Sequence, residues 1–163
     1  MDWLRDQGRG ERRFGMVASS TASRLRAEGF GVSLNATAGR DIAYWYLNPR
    51  SDVRSSFALE ITANEYTTQG LELDFVGLCW GGDLLMSGEG RWVTRRFSGT
   101  SWNAANGDRR RFILNSYRVL LTRAREGLVI WVPRGDSDDS TRDPRGLDKT
   151  AAFLLACGVR SMV

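Results

Sequence analysis

Two runs of apolar residues constrain the fold of this chain more than any other feature. Residues 73–80 (LDFVGLCW) and 128–132 (LVIWV) are almost continuously hydrophobic. Runs of this kind are typical of parallel strands that are covered on both faces, whereas half-exposed strands alternate apolar and polar residues. The chain is therefore predicted to contain a mainly parallel sheet between layers of helices.

The segments around these runs indicate strands and helices in alternation. Residues 13–19 are predicted to form another buried strand, which leads through Ser20 and Thr21, two good N-cap residues, into a short helix that ends at Gly29. Between residues 108 and 125 apolar residues repeat with the period of one helix face, and Gly127 is predicted to end that helix.

The remaining predicted elements are a helical turn at 41–47, a strand at 58–62, a hairpin of 84–86 with 91–95 and a last helix at 147–156. The hairpin belongs to a Gly-, Trp- and Arg-rich insertion at 81–106. Residues 1–12 are charged and contain glycine, so they are predicted to be a loose leader to one domain over 13–163. The predicted fold class is layered α/β, with a mainly parallel sheet and an insertion that contains a β-hairpin.

Composition excludes several classes of catalytic site. The length of 163 residues, with 42% hydrophobic and 26% charged residues, is that of one ordinary globular domain. The absence of histidine excludes a Ser-His-Asp triad, a Cys-His dyad and an HExxH metal site. Cys79 and Cys157 lie too far apart in sequence for a CxxC pair, so no metal site is predicted. No G-x-x-x-x-G-K-[ST] phosphate loop is present, and Lys149-Thr150 lacks its glycine.

The charge balance leaves two interpretations open. The chain has 23 Lys and Arg against 19 Asp and Glu, and Lys149 is its only lysine. This arginine excess arises either from codon usage or from a positive surface for nucleic acid or nucleotide phosphate. No apolar run reaches the ~18 residues of a membrane span and no signal-peptide pattern begins the chain, so a cytoplasmic protein without membrane contact is expected.

Two polar segments beside the apolar runs resemble helicase motifs. QGLELD at 69–74 is similar to motif V of superfamily-1 helicases, and YRVLLTRAR at 117–125 is similar to their motif VI. VASSTASRLRAEG at 17–29 is similar to motif IV. With VRSS, CWGGDL, VIWVP and LLACG as further matches, the chain from about residue 14 to 159 resembles the Schlafen group-3-like DNA/RNA helicase domain family.

The resemblance implies a second RecA-like domain, with ATP and Mg²⁺ bound in a cleft against a first, phosphate-loop domain that this chain lacks. Arg123 then matches the catalytic arginine finger, which neutralises charge developing in phosphoryl transfer. Glu72 matches the glutamate that binds the ribose, Gly70 the glycine of a tight turn, and Gln69 a residue close to the phosphates. The alternatives are a solvated helix-end cation for Arg123 and a plain surface acid for Glu72.

By the same resemblance, Tyr66, Thr67, Ser19 and Ser20 are expected to contact single-stranded or duplex nucleic acid. A packed tyrosine is the alternative for Tyr66. Where motif IV often carries an arginine that reaches ATP, this chain has Ala18, so that contact is missing or comes from elsewhere, with Arg24 and Arg54 as candidates.

Three interpretations of this sequence remain open. The first is the C-terminal half of a nucleic-acid-dependent ATPase, inactive without a phosphate-loop domain on the full-length or a neighbouring chain. The second, from a different class, is a free-standing nucleic-acid-binding or regulatory module without turnover. The third is a gene remnant. Arg123 and Glu72 favour the first function, and Ala18 favours the others.

Overall fold

A four-stranded parallel sheet organises the protein. The structure is a computed structural model that describes residues 1–31 and 39–162. The sheet has the strand order β2-β1-β3-β7, and every neighbouring pair is parallel. Its strands are β1 (Phe14–Ala18), β2 (Thr62–Ala63), β3 (Leu73–Cys79) and β7 (Ala124–Trp131). The two apolar runs form neighbouring parallel strands, in which Val76 pairs with Leu128.

A second, antiparallel sheet forms the insertion. Its strands are β4 (Leu84–Met86), β5 (Trp92–Ser98) and β6 (Ser101–Ala104), in that order. The predicted hairpin of β4 and β5 is therefore present, and β6 adds a third strand. Together the two sheets and the helices give the predicted layered α/β fold, consistent with a RecA-like domain.

Helices cover both faces of the parallel sheet. The α-helices are α1 (Asp2–Gln7), α2 (Gly39–Leu47), α3 (Gly107–Leu121) and α4 (Pro144–Ala156), with 3₁₀ helices at Ser23–Glu28 and Ser56–Ala58. Successive side chains of β1 point to opposite faces of the sheet and therefore pack in two different apolar clusters. Val17 packs in one cluster with Trp45 of α2, and Phe14 and Met16 pack in the other with Leu4 of α1. No helix within residues 1–31 and 39–162 is long and apolar enough to cross a bilayer.

The parallel arrangement gives the sheet two chemically distinct edges. We call the edge where β1, β2, β3 and β7 begin the amino edge, and the edge where they end the carboxyl edge. Strands β1, β2 and β3 are almost wholly buried, whereas β7, the outermost strand on its side of the sheet, is half-exposed. In open parallel sheets, ligands bind at the carboxyl ends of the strands.

The leader is better ordered than its composition suggests. Asp2–Gln7 form α1, whose Leu4 is only 2% exposed and whose Trp3 meets Phe75 edge-on at 5.8 Å. A side chain on Gly77 would lie 2.7 Å from Leu4 Cδ1, so this strand position leaves room for the helix. The prediction of a loose leader missed this because one turn with two apolar residues carries no periodic signal.

The boundary between α3 and β7 also differs from the prediction. The helix ends at Leu121, not 125, and the strand begins at Ala124, not 128. Leu73 N donates to Arg123 O at 3.1 Å, which draws the chain into the sheet immediately after the helix. Gly127 is therefore a strand residue, and a side chain there would meet the Phe75 ring at 2.9 Å.

Smaller differences concern the segments after β1 and before β3. Residues 23–28 form a 3₁₀ helix with Ala22 at the N-cap, so neither Ser20 nor Thr21 caps it. The predicted strand at 58–62 is reduced to β2, preceded by a 3₁₀ turn.

Candidate functional site

The amino edge brings three of the predicted nucleotide-binding residues together. Gly70, Glu72 and Arg123 all lie where β3 and β7 begin, because the hydrogen bond from Leu73 N to Arg123 O joins the two segments. Gly70 has φ +78°, a conformation that favours glycine, which accounts for this residue at the turn into β3. Gln69 precedes it and is exposed.

The side chain of Arg123 is held by the helix that precedes it. Its Nε donates to Val119 O at 3.1 Å, a carbonyl group in the last turn of α3 that also accepts from Thr122. One terminal nitrogen lies 3.4 Å from Thr122 Oγ1. The guanidinium is therefore positioned by local contacts and is only partly exposed.

Glu72 pairs with a cation that the sequence did not single out as a site residue. Arg125 Nε lies 3.7 Å from a Glu72 carboxylate oxygen, and the two side chains are 63% and 64% exposed. An ion pair this exposed contributes little to stability, so Glu72 can exchange it for another partner. Arg125 was missed because the predicted helix ran through it, whereas it lies on β7.

At the carboxyl edge the four predicted nucleic-acid residues differ in exposure. Tyr66 is 49% exposed, whereas Ser19 and Thr67 are buried and Ser20 is half-buried. The Thr67 hydroxyl donates to Asn64 O at 3.0 Å, and the Ser19 hydroxyl lies 2.9 Å from that of Thr21. Ser19 and Thr67 thus shape the loops, and Tyr66 presents the largest surface.

A buried glutamate organises this edge, and no role was predicted for it. Glu65 follows β2 and accepts hydrogen bonds from Ser20 N at 2.9 Å, Ser20 Oγ at 2.5 Å and Ser116 Oγ at 3.0 Å. It therefore ties the loop after β1 to the middle of α3. Nothing local in the sequence distinguishes this acid from a surface residue, because its partners lie 45 and 51 residues away.

A second buried acid lies beside it. Asp83 accepts from Thr21 Oγ1 at 2.6 Å and from the Tyr117 hydroxyl at 2.7 Å. The Tyr117 hydroxyl in turn accepts from Gly81 N at 2.9 Å. Burial raises the pKa of Asp83, and burial together with Asp83 raises the pKa of Tyr117 well above its usual value. The two carboxylates fix the positions of three loops and α3 at the carboxyl edge.

The two arginines considered as substitutes at Ala18 are held elsewhere. Arg24 Nη2 lies 2.8 Å from Asp139, and Arg54 Nη2 lies 2.7 Å from Asp52. Neither has a contact with Glu72 or Arg123.

A comparison with protein families identifies the chain. Residues 1–134 match the family model of the Schlafen group 3, DNA/RNA helicase domain. The match covers 134 of the 163 residues, from α1 to the loop that follows β7. This chain belongs to that family. Searches of curated proteins and of solved structures found no match.

Within this Schlafen group 3 helicase domain, the two predicted sets of residues occupy opposite edges of one sheet. The nucleotide set lies at the amino edge and the nucleic-acid set at the carboxyl edge. Two segments run between the edges: residues 64–72, and helix α3 with Arg123 after its last turn. Among the residues that the structure describes, no cluster of three or more His, Cys, Asp or Glu could hold a metal ion.

Proposed function

We propose that this chain is the second RecA-like domain of a nucleic-acid-dependent ATPase. It supplies Arg123 as the arginine finger and Glu72 as the ribose contact of an ATP site that a phosphate-loop domain completes. The observation that carries the proposal is the hydrogen bond from Leu73 N to Arg123 O, since it fixes these two residues at the same edge.

The residues of the amino edge can bind both the ribose and the phosphates of a nucleotide. The carboxylate of Glu72 accepts hydrogen bonds from ribose hydroxyl groups, because its exposed ion pair with Arg125 is easily exchanged. Nε of Arg123 is already bound to Val119 O, so its terminal nitrogens are donors in a fixed position for phosphate oxygens. Bound ATP with Mg²⁺ supplies the phosphoryl group, and the metal ligands belong to the phosphate-loop domain.

The isolated chain is expected not to hydrolyse ATP, because its sequence has no phosphate loop. Steady-state phosphate release should equal that of buffer, with or without nucleic acid. Release well above buffer that is lost on replacing Arg123 or Glu72 would mean that a complete site exists within this chain.

A second candidate function is nucleic-acid binding without turnover. The observation in its favour is Tyr66, an exposed aromatic ring that stacks on Phe112 at the carboxyl edge. Joining the chain to a phosphate-loop domain separates the two candidates, since only the first gains ATP hydrolysis.

Both candidates predict weak, salt-sensitive binding of nucleic acid. With a net charge of +4, contacts to phosphates are few. A dissociation constant of about 10⁻⁴–10⁻⁶ M is expected near physiological salt. Titration of a labelled oligonucleotide at two salt concentrations tests this. If no binding is detected even at low salt, this domain does not bind nucleic acid as both candidate functions require.

A further inference from the structure

An open groove lies at the carboxyl edge, between the parallel sheet and the insertion. Its volume is about 740 Å³. Residues from four segments line it, and those used below are Tyr66, Arg96, Asn106, Asp108, Arg109 and Phe112. The sequence assigned only Tyr66 of these to nucleic-acid binding, and the insertion contributes Arg96 through β5.

The floor of the groove carries a preorganised aromatic ring. The Tyr66 and Phe112 rings are stacked, with centroids 5.7 Å apart and planes at 24°. Phe112 packs against the main apolar cluster, which anchors the pair. Tyr66 N donates to Asn64 Oδ1 at 3.0 Å, so the turn that carries Tyr66 is fixed by its own hydrogen bonds. An exposed ring held in this way offers a flat surface at little cost in conformational entropy.

The walls carry two arginines without a carboxylate partner. Arg96 and Arg109 are exposed, and neither forms an ion pair with any other residue that the structure describes. Asp108 also lines the groove, but its carboxylate is paired with Arg111. Of the charged residues that line the groove, two are arginines and one is an aspartate, so the net charge of its lining is positive.

Two other arginines of the insertion are engaged in contacts. Arg91 pairs with Glu89 at the hairpin turn, and Arg95 lies over the Trp102 ring and donates to Gly82 O. The backbone reinforces the charge, since α3 begins at the groove with Asn106 as an N-cap that makes no side-chain capping bond. Free N–H groups in a first helical turn favour anions.

We propose that this groove binds single-stranded nucleic acid, with a base stacked on Tyr66 and the flanking phosphates held by Arg96 and Arg109. The base must be unpaired, because only then is its flat face open to an aromatic ring. The inference rests on the nucleic-acid part of the proposed function and adds the strand type and the residues of the insertion and α3.

The test is fluorescence anisotropy of the isolated chain with labelled oligo(dT) and oligo(U) at low salt, without ATP. Tyr66→Ala is expected to weaken binding roughly five- to 150-fold, the loss of one stacked base, while Tyr66→Phe keeps the ring and most of the affinity. The double variant Arg96→Gln/Arg109→Gln is expected to weaken binding and to lower the slope of log K against log[salt] by about 1.4, for two phosphates of a single strand. Arg91→Gln is the matched control, since it removes an exposed arginine of the same insertion outside the groove, and its slope should stay that of the unmutated chain.

Three results overturn the proposal. One is unchanged affinity of Tyr66→Ala, and another is an equal effect of Arg91→Gln and the groove variants, which would indicate diffuse charge. The third is tighter binding of duplex than of single strand. All these side chains except Phe112 are at the surface, and circular dichroism of each variant confirms folding. The binding experiment uses neither ATP nor a phosphate-loop domain. A negative result therefore does not contradict the proposed nucleotide site, and a negative result for that site does not contradict the groove.

Discussion

Replacing Arg123 with alanine is expected to remove nearly all ATP hydrolysis once this domain is joined to a phosphate-loop domain. Arginine fingers contribute about 10³–10⁵ in turnover, because they neutralise charge that develops on the transferred phosphoryl group. The backbone of Arg123 is fixed by Leu73 N, and its Nε by Val119 O, so the loss of the side chain should leave the fold intact. The measurement is steady-state phosphate release in the presence of nucleic acid, beside oligonucleotide binding as a folding control.

Two further variants make this experiment specific. Arg123→Lys should restore little activity, since a point charge does not reproduce the planar fork of arginine. Arg125→Ala is the matched control, because Arg125 lies two residues away and only pairs with the exposed Glu72. Its hydrolysis should stay within a few-fold of the unmutated rate. The reverse order, with Arg125→Ala inactive and Arg123→Ala active, would make Arg125 the cation of the site.

The central sheet could be predicted because its signal is local. Except for Asp74, the runs at 73–80 and 128–132 are apolar; they lie in β3 and β7, and each extends one residue past its strand. A run of apolar residues is typical of a parallel strand, so composition over a few residues is enough to indicate it, although β7 is half-exposed rather than buried. The same holds for α3, whose apolar face includes the buried Ile113, Tyr117 and Leu120.

The end of α3 could not be predicted, because a distant contact sets it. Ala124 fits the helical repeat, but the hydrogen bond between Leu73 and Arg123 joins residues 50 positions apart and starts the strand earlier. As a result Arg125 changes from a helix surface residue to a neighbour of Glu72. A four-residue shift in this boundary thus changes the chemistry of the candidate site.

The buried polar contacts could also not be predicted from the sequence. Glu65 and Asp83 look like surface acids in a single sequence, and acids are almost never fully buried without partners. Their partners Ser20, Ser116, Thr21 and Tyr117 are ordinary residues until the fold brings them together. The groove could not be predicted for the same reason, because residues of β5, α3 and the turn after β2 come together only in the folded chain.

Replacing Asp83 with alanine is expected to destabilise the fold by about 1–3 kcal/mol. The buried hydroxyl of Tyr117 loses its acceptor, and a buried donor left unsatisfied costs about 1–3 kcal/mol, whereas the half-buried hydroxyl of Thr21 still has Ser19 as a partner. Urea denaturation gives the free energy of unfolding by linear extrapolation. Asp138→Ala, at an exposed aspartate whose side chain makes no hydrogen bond among the described residues, is the control and should change it by less than about 0.5 kcal/mol.

The contribution of Asp83 to the free energy of unfolding is expected to fall as the pH rises. Burial raises the pKa of Asp83 in the folded state above the unfolded value, so the folded protein binds this proton more tightly. The contribution of Asp83 to stability is therefore full at pH values below about 3.9 and is lost as the pH rises through the folded pKa. Asp83→Asn cannot titrate, so the unfolding free energy of the unmutated chain minus that of Asp83→Asn should fall with rising pH across this window. A difference that rises with pH would mean that the hydrogen bonds to the Asp83 carboxylate outweigh its burial and would contradict the raised pKa. An Asp83→Ala variant as stable as the Asp138→Ala control would show that Asp83 does not hold the loops of the carboxyl edge to α3.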